Sequence, residues 1–150
     1  MSENVEILKM KVEHLDEIMR IERDLFSSQW PRSIFKAELK ENPFAHYYII
    51  KYEGKVVGYA GLWLLMEGAQ VTNIAISSDY QGKRLGKALF SFIYQKAMTS
   101  GCESLSLEVR KSNEVAQNMY RQFGMTISGI RKEYYTDNRE DALIMWVNFK

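Results

Sequence analysis

Apolar and polar residues alternate over Val5 to Lys11, the two-residue period of a strand with one buried face. The period then lengthens. Leu15, Ile18, Met19, Glu22 and Leu25 or Phe26 recur at helical spacing, so His14 to Phe26 is a helix. Ser27-Ser28-Gln29-Trp30-Pro31 breaks it, and Ser33 to Lys40 makes a second, shorter helix stopped by Asn42-Pro43. Strands follow at His46 to Tyr52, Val56 to Met66 and Gln70 to Ile76, separated by the turns Glu53-Gly54-Lys55 and Glu67-Gly68-Ala69. A third helix opens near Arg84 and runs to about Met98. Ser104 to Val109 is a strand, Asn113 to Phe123 a helix with Asn113 at its N-cap, and Met125 to Tyr135 and Ala142 to Phe149 are two last strands. The order β-α-α-β-β-β-α-β-α-β-β has hairpins in its first half and crossovers in its second. That combination predicts a mixed α/β sheet with helices on its faces.

Composition narrows the function. At 150 residues a single domain spanning 1–150 is expected. With 46% hydrophobic and 26% charged residues, such a chain buries a core without metal or disulfide. Twenty basic and nineteen acidic residues nearly cancel, which removes any broad attraction to nucleic acid or an anionic membrane. A polyanion site must therefore be local. Cys102 is the only cysteine, so an internal disulfide is impossible; with no histidine near it in sequence it is expected to be structural. The opening Met-Ser-Glu-Asn-Val-Glu is acidic, and no apolar run approaches the roughly 20 residues of a membrane span. Neither signal peptide nor membrane contact is expected, and the expected location is cytoplasmic. His14 and His46 sit in different elements, so no metal site is expected. Aromatics at 13% fit either a wide groove or a large core.

Candidate chemistry begins where the third helix does. Gln81 to Leu89 joins a strand to a helix through a turn bearing Gly82 and Gly86, flanked by Lys83, Arg84 and Lys87. Unpaired N–H groups and the positive end of a helix dipole favour phosphate oxygens there. The plainer reading is that the glycines serve tight packing and the cations are solvated. Neither the dinucleotide fingerprint nor the nucleoside triphosphate P-loop can be read.

Glu108 lies in Leu105-Ser106-Leu107-Glu108-Val109-Arg110, on the face opposite Leu105, Leu107 and Val109. A carboxylate at the C-terminal end of a sheet strand is placed to face a ligand crevice as a general base. The plainer reading pairs it with a neighbour such as Arg110. Asn113, Gln117 and Tyr120 share one helix face, and Tyr120 suits a general acid if it meets the same crevice; otherwise it is a core residue.

Three segments together resemble the GCN5-related N-acetyltransferases: Asn73 to Ile76 with Tyr80 to Gly86; Leu107 to Arg110 with Ser112, Asn113, Ala116 and Tyr120; and Phe123-Gly124-Met125. Within that family the chain is similar to the RimI subfamily, the ribosomal-protein-alanine N-acetyltransferases. The specific signals are residues 107–113, Ile130 to Tyr135 and Arg139 to Met145. One departure stands out: Arg84 occupies the position of the family's first motif glycine. The resemblance implies a seven-stranded, mostly antiparallel sheet with four helices, whose central parallel strands splay around acetyl-coenzyme A. It implies cofactor contacts from Ile74, Ala75 and Ile76, from Gly82, Lys83, Arg84, Leu85, Gly86 and Lys87, and from Asn113, with an oxyanion donor near Ile74. Glu108 would be the base and Tyr120 the acid. The acceptor groove would be walled by Phe26 to Trp30 and by Arg131 to Asn138, with Trp30, Arg131, Tyr134 and Tyr135 as substrate contacts and Glu133, Asp137 and Asp141 facing a basic peptide. Trp30 reads equally as a core anchor. The implied acceptor is the N-terminal alanine of the eighteenth small-subunit ribosomal protein, and the implied state is a monomer or weak homo-oligomer. Two alternatives stay open. One is acetylation of other N-termini, lysine side chains or small amines. The other is a non-catalytic module that senses acetyl-coenzyme A or scaffolds a partner.

Overall fold

The structure, a computed structural model, describes residues 4–26 and 29–150. Its elements are β1 (Val5–Lys9), α1 (Leu15–Leu25), α2 (Arg32–Glu41), β2 (Ala45–Tyr52), β3 (Lys55–Trp63), β4 (Ala69–Ile76), α3 (Leu85–Thr99), β5 (Ser104–Arg110), α4 (Glu114–Arg121), β6 (Thr126–Arg131) and β7 (Ala142–Asn148), with short 3₁₀ turns at Val12–His14 and Ser78–Tyr80. The order is the one the hydrophobic pattern predicts. Ser27 and Ser28 of the helix break lie outside the described residues.

Two strands are shorter than expected. β3 stops at Trp63 because its partner β2 begins at Ala45, after Asn42-Pro43; Leu64 N–H makes one last bond to the Phe44 carbonyl at 2.9 Å. β6 stops at Arg131, not Tyr135. Glu133 takes a positive φ of 50° and donates its N–H to Asp141 Oδ1 at 3.0 Å, which turns the chain out of the sheet. Tyr134 and Tyr135 therefore ride on a loop.

The strands form one seven-stranded sheet in the order β1-β2-β3-β4-β5-β7-β6. Neighbours are antiparallel except β4 and β5, which are parallel and paired only at Ala69↔Leu105 and Gln70↔Ser106. Beyond Gln70 the two central strands part. The parting has a local cause: β4 pairs Val71 with Leu62 and Asn73 with Gly61, leaving Thr72 as a bulged residue. A bulge bends its strand and increases local twist. A side chain at Gly61 would collide with Thr72 Oγ1 and the Tyr47 ring, so this bend requires glycine opposite it.

Strand alternation supplies a core on each face. Tyr47, Ile49 and Tyr59 pack with Leu15, Ile18, Ile21 and Phe35 under α1 and α2. Tyr48, Ile50, Leu105, Leu107 and Val109 pack with Leu89, Phe90, Ile93 and Tyr120 under α3 and α4. Among the described residues, no helix is long and apolar enough to cross a membrane.

Candidate active site

Where β4 and β5 separate, a cleft of about 1020 Å³ opens. Its floor includes Thr72, Asn73 and Ile74 of β4 and Leu107 to Arg110 of β5; its walls come from the end of α1 and the following segment, and from residues 134–138. Glu108 enters from β5, opposite Ile144 in the ladder. Tyr120 enters from α4, with only 5% of its surface exposed and its ring 4.9 Å from that of Phe90. Both residues line this one cleft, the condition on which their chemical reading depended. Burial pushes the Tyr120 phenol well above its ordinary pKa, and the nearby Tyr135 adds to the rise. At neutral pH it is a proton donor.

Glu108 does not pair with Arg110. Its Oε2 lies 3.3 Å from Arg131 Nε, an ion-pair distance without the alignment of a hydrogen bond, and that buried oxygen has no hydrogen-bond partner. Tyr134 leans over the same carboxylate. Burial raises its phenol pKa, as does the neighbouring Glu108 carboxylate, against the pull of Arg131.

Arg110 instead organises the far wall. Its guanidinium bonds Asp137 Oδ2 at 2.9 Å, Asn138 Oδ1 at 3.2 Å and Glu140 Oε1 at 3.3 Å, and stacks 3.9 Å from the centre of the Tyr135 ring. Glu140 also accepts the Ser112 N–H at 2.6 Å, and these bonds hold its carboxyl below the usual range. Of the acids expected to face a basic peptide, Asp137 lines the cleft but is bound to Arg110. Glu133 and Asp141 lie outside the cleft lining, joined by the Glu133 N–H donating to Asp141 Oδ1. Arg131 is likewise outside that lining and reaches the site only through Glu108 and Tyr134.

Trp30 touches both the core and the cleft. Its ring stacks 5.3 Å from Phe35 of the α2 core, and the residue also lines the cleft beside Phe26. Its backbone N–H bonds Glu22 Oε1 at 3.0 Å. Below the floor, Glu38 Oε1 accepts from Trp63 Nε1 at 2.7 Å and from Tyr47 Oη at 2.9 Å. Tyr47 Oη lies 3.2 Å from Thr72 Oγ1, which donates to Asn73 Oδ1 at 3.0 Å. This chain of bonds fixes the bulged floor. Sequence reasoning missed it, since Glu38, Tyr47, Trp63 and Thr72 belong to four different elements.

At the end of β4 the glycine turn takes an outward-facing shape. Gln81 Nε2 donates to the Ile76 carbonyl at 2.9 Å and pins the turn to the strand. Ile76 O is thus engaged within the protein, while Ala75 and Ile76 are largely buried. Gly82 and Arg84 both have positive φ, 82° and 65°. Arg84 therefore adopts at the α3 N-cap the left-handed conformation that glycine favours, which accounts for the family's glycine there. The packing explanation for the glycines fails: a Cβ on Gly82 would meet nothing within 4 Å, and one on Gly86 would make only ordinary contact with Ile76. The first bond of the helix is Ala88 N–H to Arg84 O at 3.1 Å, so the N–H groups of Leu85, Gly86 and Lys87 lack intrahelical acceptors. Lys83 reaches over the Tyr52 ring. Asn113 caps α4, its Oδ1 accepting the Ala116 N–H at 3.1 Å, and it lines the cleft. Gln117, its helix-face companion, is buried and bonds the Arg110 and Lys111 carbonyls at 3.1 and 2.9 Å.

Cys102 is buried, which raises its thiol pKa and leaves it unreactive. His14 Nδ1 accepts the Lys11 N–H at 2.9 Å. No group of three or more His, Cys, Asp or Glu residues that could hold a metal is found among the described residues.

Known proteins resemble this chain in sequence and in fold. Residues 15–125 match the Acetyltransferase (GNAT) family model. Over 141 residues the chain is 31% identical to the ribosomal protein bS18-alanine N-acetyltransferase of Escherichia coli (strain K12), covering 93% of this chain and 94% of that protein. Identity is 48% over 141 residues with a Bacillus subtilis (strain 168) protein whose name assigns it the same activity provisionally, covering 94% and 93%. The crystal structure of the ribosomal-protein-S18-alanine N-acetyltransferase from Escherichia coli matches with a TM-score of 0.88 at 29% identity, over 97% of this chain and 94% of that one. Arabidopsis thaliana Naa50, solved with a bisubstrate analogue of coenzyme A and a peptide, shares the fold with a TM-score of 0.82 at 18% identity, over 97% and 99% of the two chains.

Proposed function

The chain belongs to the acetyltransferase (GNAT) family, and from that premise we propose that it transfers acetyl from acetyl-coenzyme A to the N-terminal alanine of ribosomal protein bS18. The observation that carries the reading is the single cleft lined by both Glu108 and Tyr120 at the parting of β4 and β5.

The residues present fit the co-substrate. The free edge of β4 beyond Gln70 offers backbone groups to an extended pantetheine arm. The N–H groups at the start of α3, with Lys83, Arg84 and Lys87 around them, suit a pyrophosphate. Acetyl-coenzyme A supplies the acetyl thioester.

The protein's work is with protons. A protein α-amine has a pKa of about 8, so at neutral pH most of it is ammonium without a lone pair. Glu108 takes that proton, and the nitrogen then forms its bond to the acetyl carbon. Charge develops on the carbonyl oxygen, which a backbone N–H near Ile74 would stabilise. As the carbon–sulfur bond breaks, Tyr120 gives its proton to the leaving sulfur. Arg131 and Tyr134 flank the Glu108 carboxylate on the amine side.

The cleft favours an amine acceptor on charge. Four carboxylates (Glu22, Glu108, Asp137 and Glu140) and one guanidinium (Arg110) line it. The names of the similar proteins select the N-terminal alanine of bS18 among amines. A ribosomal acceptor supports a cytoplasmic location, and a monomer or weak homo-oligomer belongs to the same proposal.

The test is mass spectrometry after incubation with isotopically labelled acetyl-coenzyme A and two bS18 N-terminal peptides, one with a free and one with a blocked α-amine. Label on the free α-amine alone is expected. Label on a lysine side chain, or on neither peptide, contradicts the reading.

A further inference from the structure

Among the described residues, each carboxylate lining the cleft has a cationic partner except one. Asp137 and Glu140 pair with Arg110, and Glu108 faces Arg131. Glu22 has no ion pair among the described residues, although only 3% of its surface is exposed. It sits on the buried face of α1 beside Leu15, Ile18 and Ile21, where an apolar residue would complete the stripe. Its Oε1 accepts the Trp30 N–H at 3.0 Å; its Oε2 takes no hydrogen bond from the described residues. Burying a carboxylate without a cation is unfavourable. A carboxylate kept there, on a cleft wall and without a counter-charge among the described residues, suits a ligand that brings one.

We infer that Glu22 is a positioning residue for the acceptor, its Oε2 receiving the substrate's terminal ammonium and guiding it toward Glu108. The inference rests on the amine-acetyltransferase reading above. Glu22 projects from α1, so it faces the cleft from the α1 and α2 side of the sheet. By strand alternation Glu108, like Ser106 and Arg110, projects to that same side. An ammonium between the two thus meets two carboxylates on separate elements: one holds it, the other removes its proton. Desolvation raises the Glu22 pKa, the direction expected of a carboxylate awaiting a cation, while the Trp30 N–H opposes the rise.

A ligand-based double-mutant cycle tests this. The affinities of a bS18 N-terminal peptide and of its desamino analogue, which lacks only the α-amine, are measured by calorimetry in the presence of coenzyme A. Wild type and Glu22→Gln are compared. The glutamine is close in shape and still accepts the Trp30 N–H, so a merely structural role survives it. Wild type should prefer the amine peptide by about tenfold or more, and Glu22→Gln should lose most of that preference. Turnover should agree: KM for the peptide rises about tenfold, while kcat and KM for acetyl-coenzyme A change less than about twofold. Glu22→Asp, which keeps the charge, should restore part of the preference. Equal preference in wild type and Glu22→Gln, or a fall in kcat with peptide KM unchanged, overturns the assignment. Failure of wild type to acetylate any amine overturns the function reading instead, so the two failures are distinguishable.

Discussion

The phenol of Tyr120 lies among apolar neighbours, with its ring against Phe90, yet the residue borders the cleft. Its raised pKa keeps it protonated across the working range, as a donor to a leaving thiolate requires. Tyr120→Phe removes the donor and almost none of the packing. It should lower kcat by about 10²-fold or more while acetyl-coenzyme A affinity stays within about twofold, measured by steady-state kinetics and calorimetry. Glu22 carries a prediction about stability. Its folded-state pKa is raised, so the folded chain binds the proton more tightly than the unfolded chain. Stability from this group is complete below the ordinary glutamate pKa of about 4.3 and falls as pH rises through the raised folded value. Glu22→Gln removes that loss. Its Tm should exceed that of wild type at pH 7, and the difference should shrink as pH is lowered toward 4. A difference that grows on acidification would contradict the sign. A variant more stable but poorer at holding its acceptor would place Glu22 among residues kept for function at a cost in stability.

At the scale of elements, sequence periodicity carries far. Helical spacing from Leu15 to Leu25 and alternation from Leu105 to Val109 are local signals, and both elements fold as expected. The N-cap at Asn113 is equally local and equally legible. What escapes a local reading is set by distant partners. β6 ends at Arg131 because Asp141, eight residues beyond Glu133, captures the Glu133 N–H. Arg110 reads as a neighbour for Glu108 and shares its face of β5, but Asp137 and Glu140 of the β6–β7 loop engage its guanidinium instead. The bulge at Thr72 has no signal in β4 itself; its mark is the glycine at position 61 on the adjacent strand. Gly61→Ala should press a methyl group into Thr72 and Tyr47. It should destabilise the fold by about 1–3 kcal/mol in urea unfolding. Its kcat/KM should also fall, because the displaced Thr72 and Asn73 form the cleft floor. Full activity with unchanged stability would mean that the floor tolerates an unbulged strand.

For the molecule as a whole, net charge of +1 conceals a division of labour. Cations gather at the turn before α3, where the proposal puts the phosphates, and carboxylates gather in the cleft, where it puts the amine. The single parallel pair in the sheet lies between these regions and breaks after two residue pairs. The family motifs made the cation turn, Glu108 and Tyr120 visible in the sequence. The acceptor side was less visible, because its polar contacts join α1, α2, β3, β4 and the β6–β7 loop across long stretches of chain. The most direct measurement is a crystal structure with a bisubstrate analogue, coenzyme A joined through acetyl to the α-amine of a bS18 N-terminal peptide. The analogue should thread the gap between β4 and β5, its sulfur within about 3 Å of Tyr120 Oη and its amide nitrogen reaching Glu108 directly or through one water. An analogue bound elsewhere, or one placing sulfur and nitrogen far from both side chains, would contradict the account.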